Sequence, residues 1–308
     1  MGLNDSSPGA MRNGRGLSDQ WAETVVVRPR TTERHITVHK RLVVRFEDCG
    51  SRDVATGESG SRGSAKLNGS KGERGDEEGV QPWRNLRLPG TLRPRHYDLR
   101  IAVYMDNFTF SGEVSIELEC INATRFIVLH TDRLEVDRVS VTAEGGANGR
   151  PANRPGGGAM RIHRHFPHPT TQMHVVVLHR ELKPLRVYRL NVSFEAAIED
   201  ELLGFFRSSY TLHREKRFLA LTQFSPIHAR KAFPCFDEPV YKATFSVTLR
   251  HDAQYTALSN MPEEHSVLEE DGSITTRFSR TPRMSTYYLA WAVCNFTFRE
   301  TTSDTGVT

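Results

Sequence analysis

The sequence contains no long apolar run. In the basic first 45 residues no apolar run exceeds three residues, and the run before Arg45 is only Leu42–Val44. A membrane-spanning helix needs about 20 apolar residues, and a signal peptide has an apolar core of about 7–15 residues near its start. The sequence therefore predicts neither a transmembrane span nor a signal peptide in this chain.

Cysteine is also scarce, with four in 308 residues, so no disulfide framework is expected. The net charge of +4 gives no argument for a nucleic-acid partner. Only 37% of the residues are hydrophobic, which is low for a wholly globular chain. The composition therefore predicts that part of the chain is unpacked.

The composition changes along the chain and predicts three parts. Residues 1–45 are polar and basic, which is typical of a cytoplasmic tail beside a membrane span. Residues 46–82 are rich in glycine, serine and charge, and predict a disordered stalk. Its Cys49 is expected either to form an interchain disulfide in an oxidising compartment or to stay a free thiol. Residues 83–308 form the third part, a β domain.

From Trp83 onward apolar and polar residues alternate with a period of two, as in strands with one face in water. No window gives a convincing long amphipathic helix. The sequence therefore predicts an all-β domain of packed antiparallel sheets, with a surface loop at 143–159. The predicted strands include Tyr97–Met105, Val114–Cys120, Phe126–Leu129, Val175–Leu178, Tyr188–Phe194, Phe245–Leu249, Ile274–Phe278 and Tyr287–Cys294.

The segment Thr222–Pro239 reads TQFSPIHARKAFPCFDEP and follows an apolar strand, Phe218–Leu221. Proline fixes φ and removes a backbone donor, so the segment should be rigid and irregular until a strand begins at Tyr241. Rigid loops on a strand scaffold are where binding groups tend to lie.

This string resembles the T-Q-x-x-x-x-x-A-R-x-x-F-P-C-x-D-E-P signature of the aminopeptidase N family of zinc metallopeptidases. The resemblance covers roughly residues 15–48 and 83–308, and it implies a saddle-like β-sandwich. The residue types at Ser225 and His228 resemble those of a family member that removes pyroglutamate from a small neuropeptide. Three further stretches agree with the family: Leu203–Tyr210, Leu258–Pro262 and Met284–Trp291.

The resemblance implies zinc chemistry, which needs two histidines four residues apart on a helix, a glutamate between them and a third ligand. Neither that H-E-x-x-H pattern nor the family's G-x-M-E-N loop occurs in the sequence. His35 and His39 have the spacing, but Ile36 stands beside His35 where the glutamate is needed. We therefore expect no catalytic residue, metal site or cofactor in this chain, with zinc in a separate catalytic domain, and no activity of the chain by itself. The sequence also looks cut at Thr308 rather than finished.

The resemblance further implies that Gln223 faces the active-site cleft and contacts the first residue of the substrate. A primary amide complements the N–H and C=O of a neutral pyroglutamyl lactam, whereas a carboxylate there would favour a charged amine. Ser225 and His228 are expected to line the same rim. The alternative for Gln223 is a buried side chain that backbone groups satisfy.

Two other sets of residues suggest chemistry but favour a structural interpretation. Adjacent carboxylates usually point apart, so Asp237 and Glu238 should cap the turn and pair with Arg230 or Lys231 rather than form an acid–base pair. A histidine cluster is interpreted as a solvated strand edge in preference to a weak metal site. The cluster comprises His163, His165, His168, His174 and His179.

Asn-x-Ser/Thr sequons predict glycosylation, and their clustering after the basic segment fits the resemblance, which implies a type II plasma-membrane protein with an extracellular domain. Asn191 falls on the polar face of its predicted strand. An earlier sequon is at Asn4, and the sites predicted to carry glycans are Asn68, Asn107, Asn122, Asn191 and Asn295.

The sequence leaves two functions open. In the first, the chain is the N-terminal domain of a zinc ectopeptidase and helps to recognise the N-terminus of a small neuropeptide. In the second, it is a non-catalytic β-sandwich interaction module or an inhibitory partner of the full-length enzyme. A homodimer, or a heterodimer with that enzyme, is a partner hypothesis in either case.

Overall fold

The structure is a computed structural model that describes residues 28–29, 81–146 and 158–297. Apart from 28–29 and 81–82, the predicted basic tail and stalk lie outside the described residues, and so do Cys49 and the sequons at Asn4 and Asn68. The described residues divide between two units, residues 1–30 with 296–308 and residues 31–295.

Strands dominate the described residues, and the helices are single 3₁₀ turns at Pro82–Arg84, Pro169–Thr171, Ala229–Lys231 and Thr286–Tyr288. No helix among these residues is long and apolar enough to cross a membrane. The strands are β1 (Arg28–Pro29), β2 (Leu92–Tyr104), β3 (Thr109–Cys120), β4 (Thr124–His130), β5 (Glu135–Gly146), β6 (Ala159–Met160), β7 (Ile162–His168), β8 (Met173–Leu182), β9 (Arg186–Ala197), β10 (Gly204–Leu212), β11 (Glu215–Gln223), β12 (Thr244–Asp252), β13 (Thr256–Ser259), β14 (Glu263–Leu268), β15 (Ser273–Phe278), β16 (Trp291–Cys294) and β17 (Phe296–Thr297).

In the smaller unit β1 pairs antiparallel with β17. The larger unit holds three sheets. An eight-stranded sheet has the order β14-β15-β12-β2-β3-β9-β5-β6, a four-stranded sheet has the order β10-β11-β16-β13, and a three-stranded sheet has the order β4-β8-β7. The predicted all-β class is therefore confirmed, and the strand pairs are antiparallel with one exception, since β12 pairs parallel with β2.

The alternation that predicts strands also places the core. Along β2 every second side chain from Tyr97 to Val103 is buried, while Arg100 and Tyr104 on the other register are exposed. The same holds on β3 and β9, whose inward residues form one continuous apolar core with β2. The outward residues of these three strands form a polar sheet face.

Three predicted elements have different boundaries in the structure. The predicted strand Tyr287–Cys294 begins only at Trp291, because a 3₁₀ turn at Thr286–Tyr288 precedes it. The strand expected from Tyr241 begins at Thr244. The predicted 143–159 loop is shorter at both ends, since β5 reaches residue 146 and β6 starts at 159. Residues 147–157 of that loop lie outside the described residues.

Tyr97 links the eight-stranded sheet to the segment that carries the family signature. Its side chain is fully buried, and its ring stacks on Phe245 with ring centroids 4.8 Å apart. The Tyr97 hydroxyl accepts a hydrogen bond from the backbone N–H of Phe236 at 3.1 Å. Burial raises the pKa of this hydroxyl well above its ordinary value, so Tyr97 stays neutral.

Replacement of Tyr97 by phenylalanine should destabilise the domain, because the buried Phe236 N–H would lose its acceptor. We expect a loss of about 1–3 kcal/mol in the free energy of unfolding, measured by urea denaturation. The control is Tyr104→Phe, at an exposed hydroxyl on the same strand, which should change stability by less than about 0.5 kcal/mol. Equal effects of the two substitutions would contradict this role for the Tyr97 hydroxyl.

Candidate functional site

The Thr222–Pro239 segment leaves the end of β11 and is held down by aromatic side chains. Phe224, Phe233 and Phe236 are buried. Phe224 and Phe233 both lie against Trp291, with ring centroids 5.2 and 6.2 Å away. These rings fill the core, whereas Ser225 between Phe224 and Phe233 stays at the surface.

Asp237 is the buried polar centre of this segment, and its residue is only 2% exposed. Its Oδ2 accepts hydrogen bonds from the backbone N–H and the Nε of Arg230, at 3.3 and 3.0 Å. Its Oδ1 accepts one from the Thr286 hydroxyl at 3.2 Å. Its backbone N–H donates to Nδ1 of His130 at 3.2 Å. The Asp237 carboxylate thus connects the signature segment to the 3₁₀ turn before β16, and the Asp237 backbone connects it to the end of β4.

The Arg230 guanidinium is similarly enclosed, with 9% of its side chain exposed. Its Nη1 donates to the Gln172 side-chain oxygen at 3.0 Å, and its Nη2 donates to the backbone oxygen of Asp237 at 3.3 Å. The charges of the buried pair are therefore matched by hydrogen bonds on both sides. Removal of one partner from such a pair typically costs about 3–5 kcal/mol, since the other charge stays buried.

His130 accepts the Asp237 N–H and is itself almost fully buried, at 1% exposure. Burial, reinforced by the charge of Arg230, lowers the pKa of His130 to about 3. Its Nδ1 must be unprotonated to accept a hydrogen bond, so the neutral ring carries its proton on Nε2. The backbone of His130 also bridges to that of Cys235 in both directions.

The predicted structural role of the acidic pair is confirmed for Asp237, which pairs with Arg230. Glu238 has other partners than those expected, because its Oε1 accepts the backbone N–H of Leu88 at 2.8 Å and its Oε2 pairs with Arg87. The two carboxylates thus face different segments and cannot act together as an acid–base pair.

Gln223, the predicted substrate contact, ends β11 and is exposed. Its side chain makes no hydrogen bond to any residue that the structure describes, so the alternative of a buried, backbone-satisfied glutamine is wrong. Gln223 pairs in register with Gly204, the first residue of β10. Gly204 has a φ of +75°, and a Cβ there would lie 2.5 Å from Cβ of Lys231. Only glycine therefore fits beside Gln223 on this side.

The other side of Gln223 is fixed by side-chain bonds to backbone. The Thr222 hydroxyl accepts the Trp291 N–H at 3.0 Å. Asn260, which follows β13, donates from Nδ2 to the oxygen of Tyr288 and accepts the Ala290 N–H, at 2.9 and 2.8 Å. Trp291 also pairs with Ser259 of β13. The ends of β11 and β13 and the start of β16 therefore lie at the same end of the four-stranded sheet.

We call this end of the sheet the Gln223 rim and define it as Gln223, Asn260, Tyr288 and Ala290. All four residues are exposed, Tyr288 by 59%. Amide and aromatic groups on strand ends that are fixed from both sides form a rigid surface able to contact a small polar ligand by hydrogen bonds and stacking.

Ser225 and His228 lie in the loop that leaves the Gln223 rim. Ser225 is exposed and is joined to Pro226 by a cis peptide bond. His228 is half-buried, and its backbone N–H donates to the Phe224 oxygen at 2.8 Å. Burial, with a further contribution from Lys231, lowers the pKa of His228, which favours a neutral ring. No hydrogen bond joins the side chains of the three predicted site residues in the part of the chain described.

The histidine cluster separates into pairs on the three-stranded sheet. Nδ1 of His165 lies 3.1 Å from Nε2 of His174, whereas the rings of His163 and His179 have centroids 5.1 Å apart. His168 contacts the Thr171 hydroxyl instead. Burial lowers the pKa of His174 to about 4, and His165 adds to the shift. Within the ranges 81–146 and 158–297 no three His, Cys, Asp or Glu side chains are placed to hold a metal ion.

Four predicted glycosylation sites fall among the described residues. Asn107 and Asn122 are exposed in turns, and Asn191 and Asn295 are half-buried. Asn191 lies on the outward register of β9, as expected. Of the cysteines, Cys120, Cys235 and Cys294 are buried and free of disulfides.

Several residues that build the site were not found from the sequence. His130 is a lone histidine on an apolar strand, and Gln172 and Asn260 are polar residues far from the signature. No local pattern marks their partners, which are 58–107 residues away for Gln172 and His130. Gly204 was available as a signal, since glycine at a strand end often marks positive φ or close contact.

Comparison with known proteins gives the class of this domain. A model of the peptidase M1 N-terminal domain matches residues 93–288. The chain therefore belongs to the peptidase M1 family, and the described β domain is its N-terminal domain.

Among curated proteins, the chain is 47% identical to the thyrotropin-releasing hormone-degrading ectoenzyme of Rattus norvegicus over 363 aligned residues, which cover 100% of this chain and 33% of that protein. The Homo sapiens enzyme of that name gives the same identity and coverage. Endoplasmic reticulum aminopeptidase 2 of Bos taurus is 37% identical over 229 residues, 74% of this chain and 23% of that protein. The chain thus spans about a third of the length of the first relatives.

The buried His130 predicts acid sensitivity. Because its pKa in the folded state lies near 3, below the ordinary 6.5, the unfolded chain binds more protons between these values. The contribution of His130 to the free energy of unfolding is fully present above pH 6.5. It falls as the pH drops, by roughly 2 kcal/mol between pH 6.5 and pH 5.

The variant His130→Asn tests this, since its side-chain oxygen can accept the Asp237 N–H without titrating in this range. Urea denaturation of both proteins at pH 6.5 and pH 5 should show a smaller loss of stability in the variant. An equal loss in the two proteins would show that His130 does not titrate on unfolding.

Proposed function

We propose that this chain supplies the substrate N-terminus recognition surface of a zinc-dependent peptidase that removes pyroglutamate from a thyrotropin-releasing-hormone-like peptide. The observation that carries the proposal is the exposed side chain of Gln223 at the end of β11, where the Gln223 backbone pairs with Gly204. The names of the relatives support the substrate class.

The chemistry of an amide suits a blocked peptide. A pyroglutamyl ring is neutral and has one N–H and one C=O, so a primary amide can accept from the first and donate to the second. A carboxylate at the position of Gln223 would instead favour the charged α-amine of an unblocked peptide. Ser225 and His228 extend the proposed contact surface, and a neutral His228 ring can donate or accept a hydrogen bond.

The zinc chemistry in this proposal is assigned to a catalytic domain outside the described residues. No three metal-binding side chains come together in those residues, so they do not fit a catalytic zinc. Hydrolysis is therefore proposed to require that further domain. We also propose a type II orientation at the plasma membrane, with this domain extracellular, and association as a homodimer or with a full-length enzyme.

The test places residues 83–297 of this chain in the corresponding segment of the rat relative and compares two peptides. One is pyroglutamyl-histidyl-prolinamide and the other is its analogue with a free α-amine. Substitution Gln223→Glu should lower kcat/KM for the blocked peptide by about 10–100-fold, since a buried donor or acceptor left unpaired costs about 1–3 kcal/mol. The same change should raise the relative preference for the free amine.

The matched control is Glu215→Gln at the exposed far end of β11. It exchanges a carboxylate for an amide, the reverse of the change at Gln223. It should leave both kcat/KM values within about two-fold of the parent, because surface changes away from a site have little effect. If Gln223→Glu leaves the ratio of the two peptides unchanged, Gln223 does not read the substrate N-terminus and the proposal fails.

A further inference from the structure

A row of basic side chains crosses one end of the three-stranded sheet, and the proposed function does not use it. Arg125 lies on β4, His179 on β8, Arg161 immediately before β7 and His163 on β7. All four residues are exposed, and we call them the basic row. The rings of His163 and His179 have centroids 5.1 Å apart, and the backbone N–H of His179 donates to the backbone oxygen of Arg161 at 3.0 Å. Nε of Arg125 donates to the backbone oxygen of Leu178, the residue before His179, at 3.3 Å.

Irregular strand pairing brings these side chains together. On β7 the register shifts across His163, and on β4 it shifts across Arg125. Such irregularities leave a residue outside the ladder and re-aim its side chain. In both places that residue is basic and lies beside His179 of the central strand β8. Each of the three strands therefore contributes a basic group to one surface.

No carboxylate balances the basic row in the part of the chain that the structure describes. None of its four members forms an ion pair there. Desolvation lowers the pKa of His179, and the nearby groups of Arg161, His163 and Arg125 lower it further, while no described carboxylate raises it. Like charges on neighbouring strands are destabilising. The basic row is therefore a surface that an anionic group would stabilise.

The chain enters the β domain on this same sheet, at Trp83. The Trp83 ring lies against Phe126 of β4 and Phe166 of β7, with ring centroids 5.3 and 5.5 Å away. The backbone oxygen of Trp83 accepts a hydrogen bond from the Thr171 hydroxyl at 3.0 Å. These contacts fix the point at which the preceding chain leaves the sheet.

The strand register places the basic row next to that point. Phe126 pairs with Val177 of β8, so both side chains lie on the sheet face that Trp83 covers. Residues two apart on a strand share a face, so His179 also lies on this face, about 7 Å further along β8 than Val177.

An acidic run precedes Trp83 in the sequence. Residues 76–78 are Asp, Glu and Glu, and Glu78 stands five residues before Trp83. Five extended residues span at most about 18 Å, more than twice the distance along β8 between Val177 and His179. The acidic run lies outside the described residues. Its charge is opposite to that of the basic row, and its tether to Trp83 keeps it within reach.

We propose that the basic row is a docking surface for the acidic run at residues 76–78 of the same chain, whose carboxylates pair with Arg125 and Arg161. Arginine suits this role because its guanidinium can bind a carboxylate through two parallel hydrogen bonds. The contact fixes the direction in which the chain before Trp83 leaves the β domain. It goes beyond the proposed function and depends neither on peptide hydrolysis nor on placement at a membrane.

The tether favours this occupant over a separate acidic protein. An ion pair between exposed groups contributes only about 0–1 kcal/mol, so a few such pairs bind a free partner weakly. A short tether instead gives the acidic run an effective concentration of about millimolar or more at the row. A second copy of the chain that offers the same residues lacks this advantage.

Carbodiimide cross-linking of the full chain tests the contact, because this reagent joins a carboxylate to an amine that touches it. Substitution Arg161→Lys supplies the amine and keeps the charge. The matched control is Arg283→Lys, at an exposed arginine outside the basic row whose Nε donates to the backbone oxygen of Lys242 at 3.0 Å, much as Arg125 donates to Leu178. Mass spectrometry of peptides from the monomeric fraction identifies the linked residues.

We expect a link between position 161 and residues 76–78 at a yield about ten-fold or more above any link from position 283 to the same residues in the control. The yield should fall several-fold in 1 M NaCl, where the screening length is about 3 Å.

Three results would overturn the inference. The first is a yield at position 161 no higher than that of the control, and the second is a yield that salt does not change. The third is a link found only in covalent dimers, which would assign the basic row to a second copy of the chain. None of these results involves Gln223, so failure here is distinguishable from failure of the proposed function.

Discussion

The buried carboxylate of Asp237 is the interaction on which the candidate site depends. Its oxygens accept bonds from Arg230 in the same segment and from Thr286 in the turn before β16, and the backbone N–H of the same residue bonds His130 at the end of β4. A charge with 2% exposure is tolerated because both of its oxygens and the opposing guanidinium are hydrogen-bonded. The irregular segment after β11 is therefore fixed by polar bonds beneath its surface as well as by its buried aromatic rings.

In that arrangement the residues that hold the segment in place differ from the residues that are exposed to a ligand. The residues that hold the segment, such as Arg230 and Phe233, are buried, whereas Gln223 and Ser225 are exposed. Gly204 and Asn260 support the chain on the two sides of Gln223. Gly204 does so because its small size allows close packing, and Asn260 does so by hydrogen bonds to backbone. A side chain that must recognise a small neutral group benefits from such support, since little ordering is left for the moment of binding.

Local patterns were enough to predict the class of fold, but not the geometry of the candidate site. Alternation along β2, β3 and β9 identified the strands and their buried faces, because burial of one sheet face imposes a period of two. The parallel pairing of β12 with β2 has no local signal, since partner and direction are set by packing across about 150 residues. The predicted strand includes Tyr287 and Tyr288 because Tyr favours strands, but both residues lie in a 3₁₀ turn. A pairing of one carboxylate of the acidic pair with Arg230 or Lys231 was predicted from proximity, whereas Asp237–His130 and Glu238–Leu88 are long-range contacts that sequence does not reveal.

The most direct test of this account is amide hydrogen exchange of the whole chain and of the variant Asp237→Asn. If Asp237 fixes the segment that presents Gln223, exchange should quicken together by more than ten-fold in residues 224–239, at His130 and in the turn at 286–289. The central strands β3 and β9 should keep their protection, because their core does not involve this carboxylate. A change confined to the immediate neighbours of Asp237, with residues 224–228 unaffected, would contradict the account.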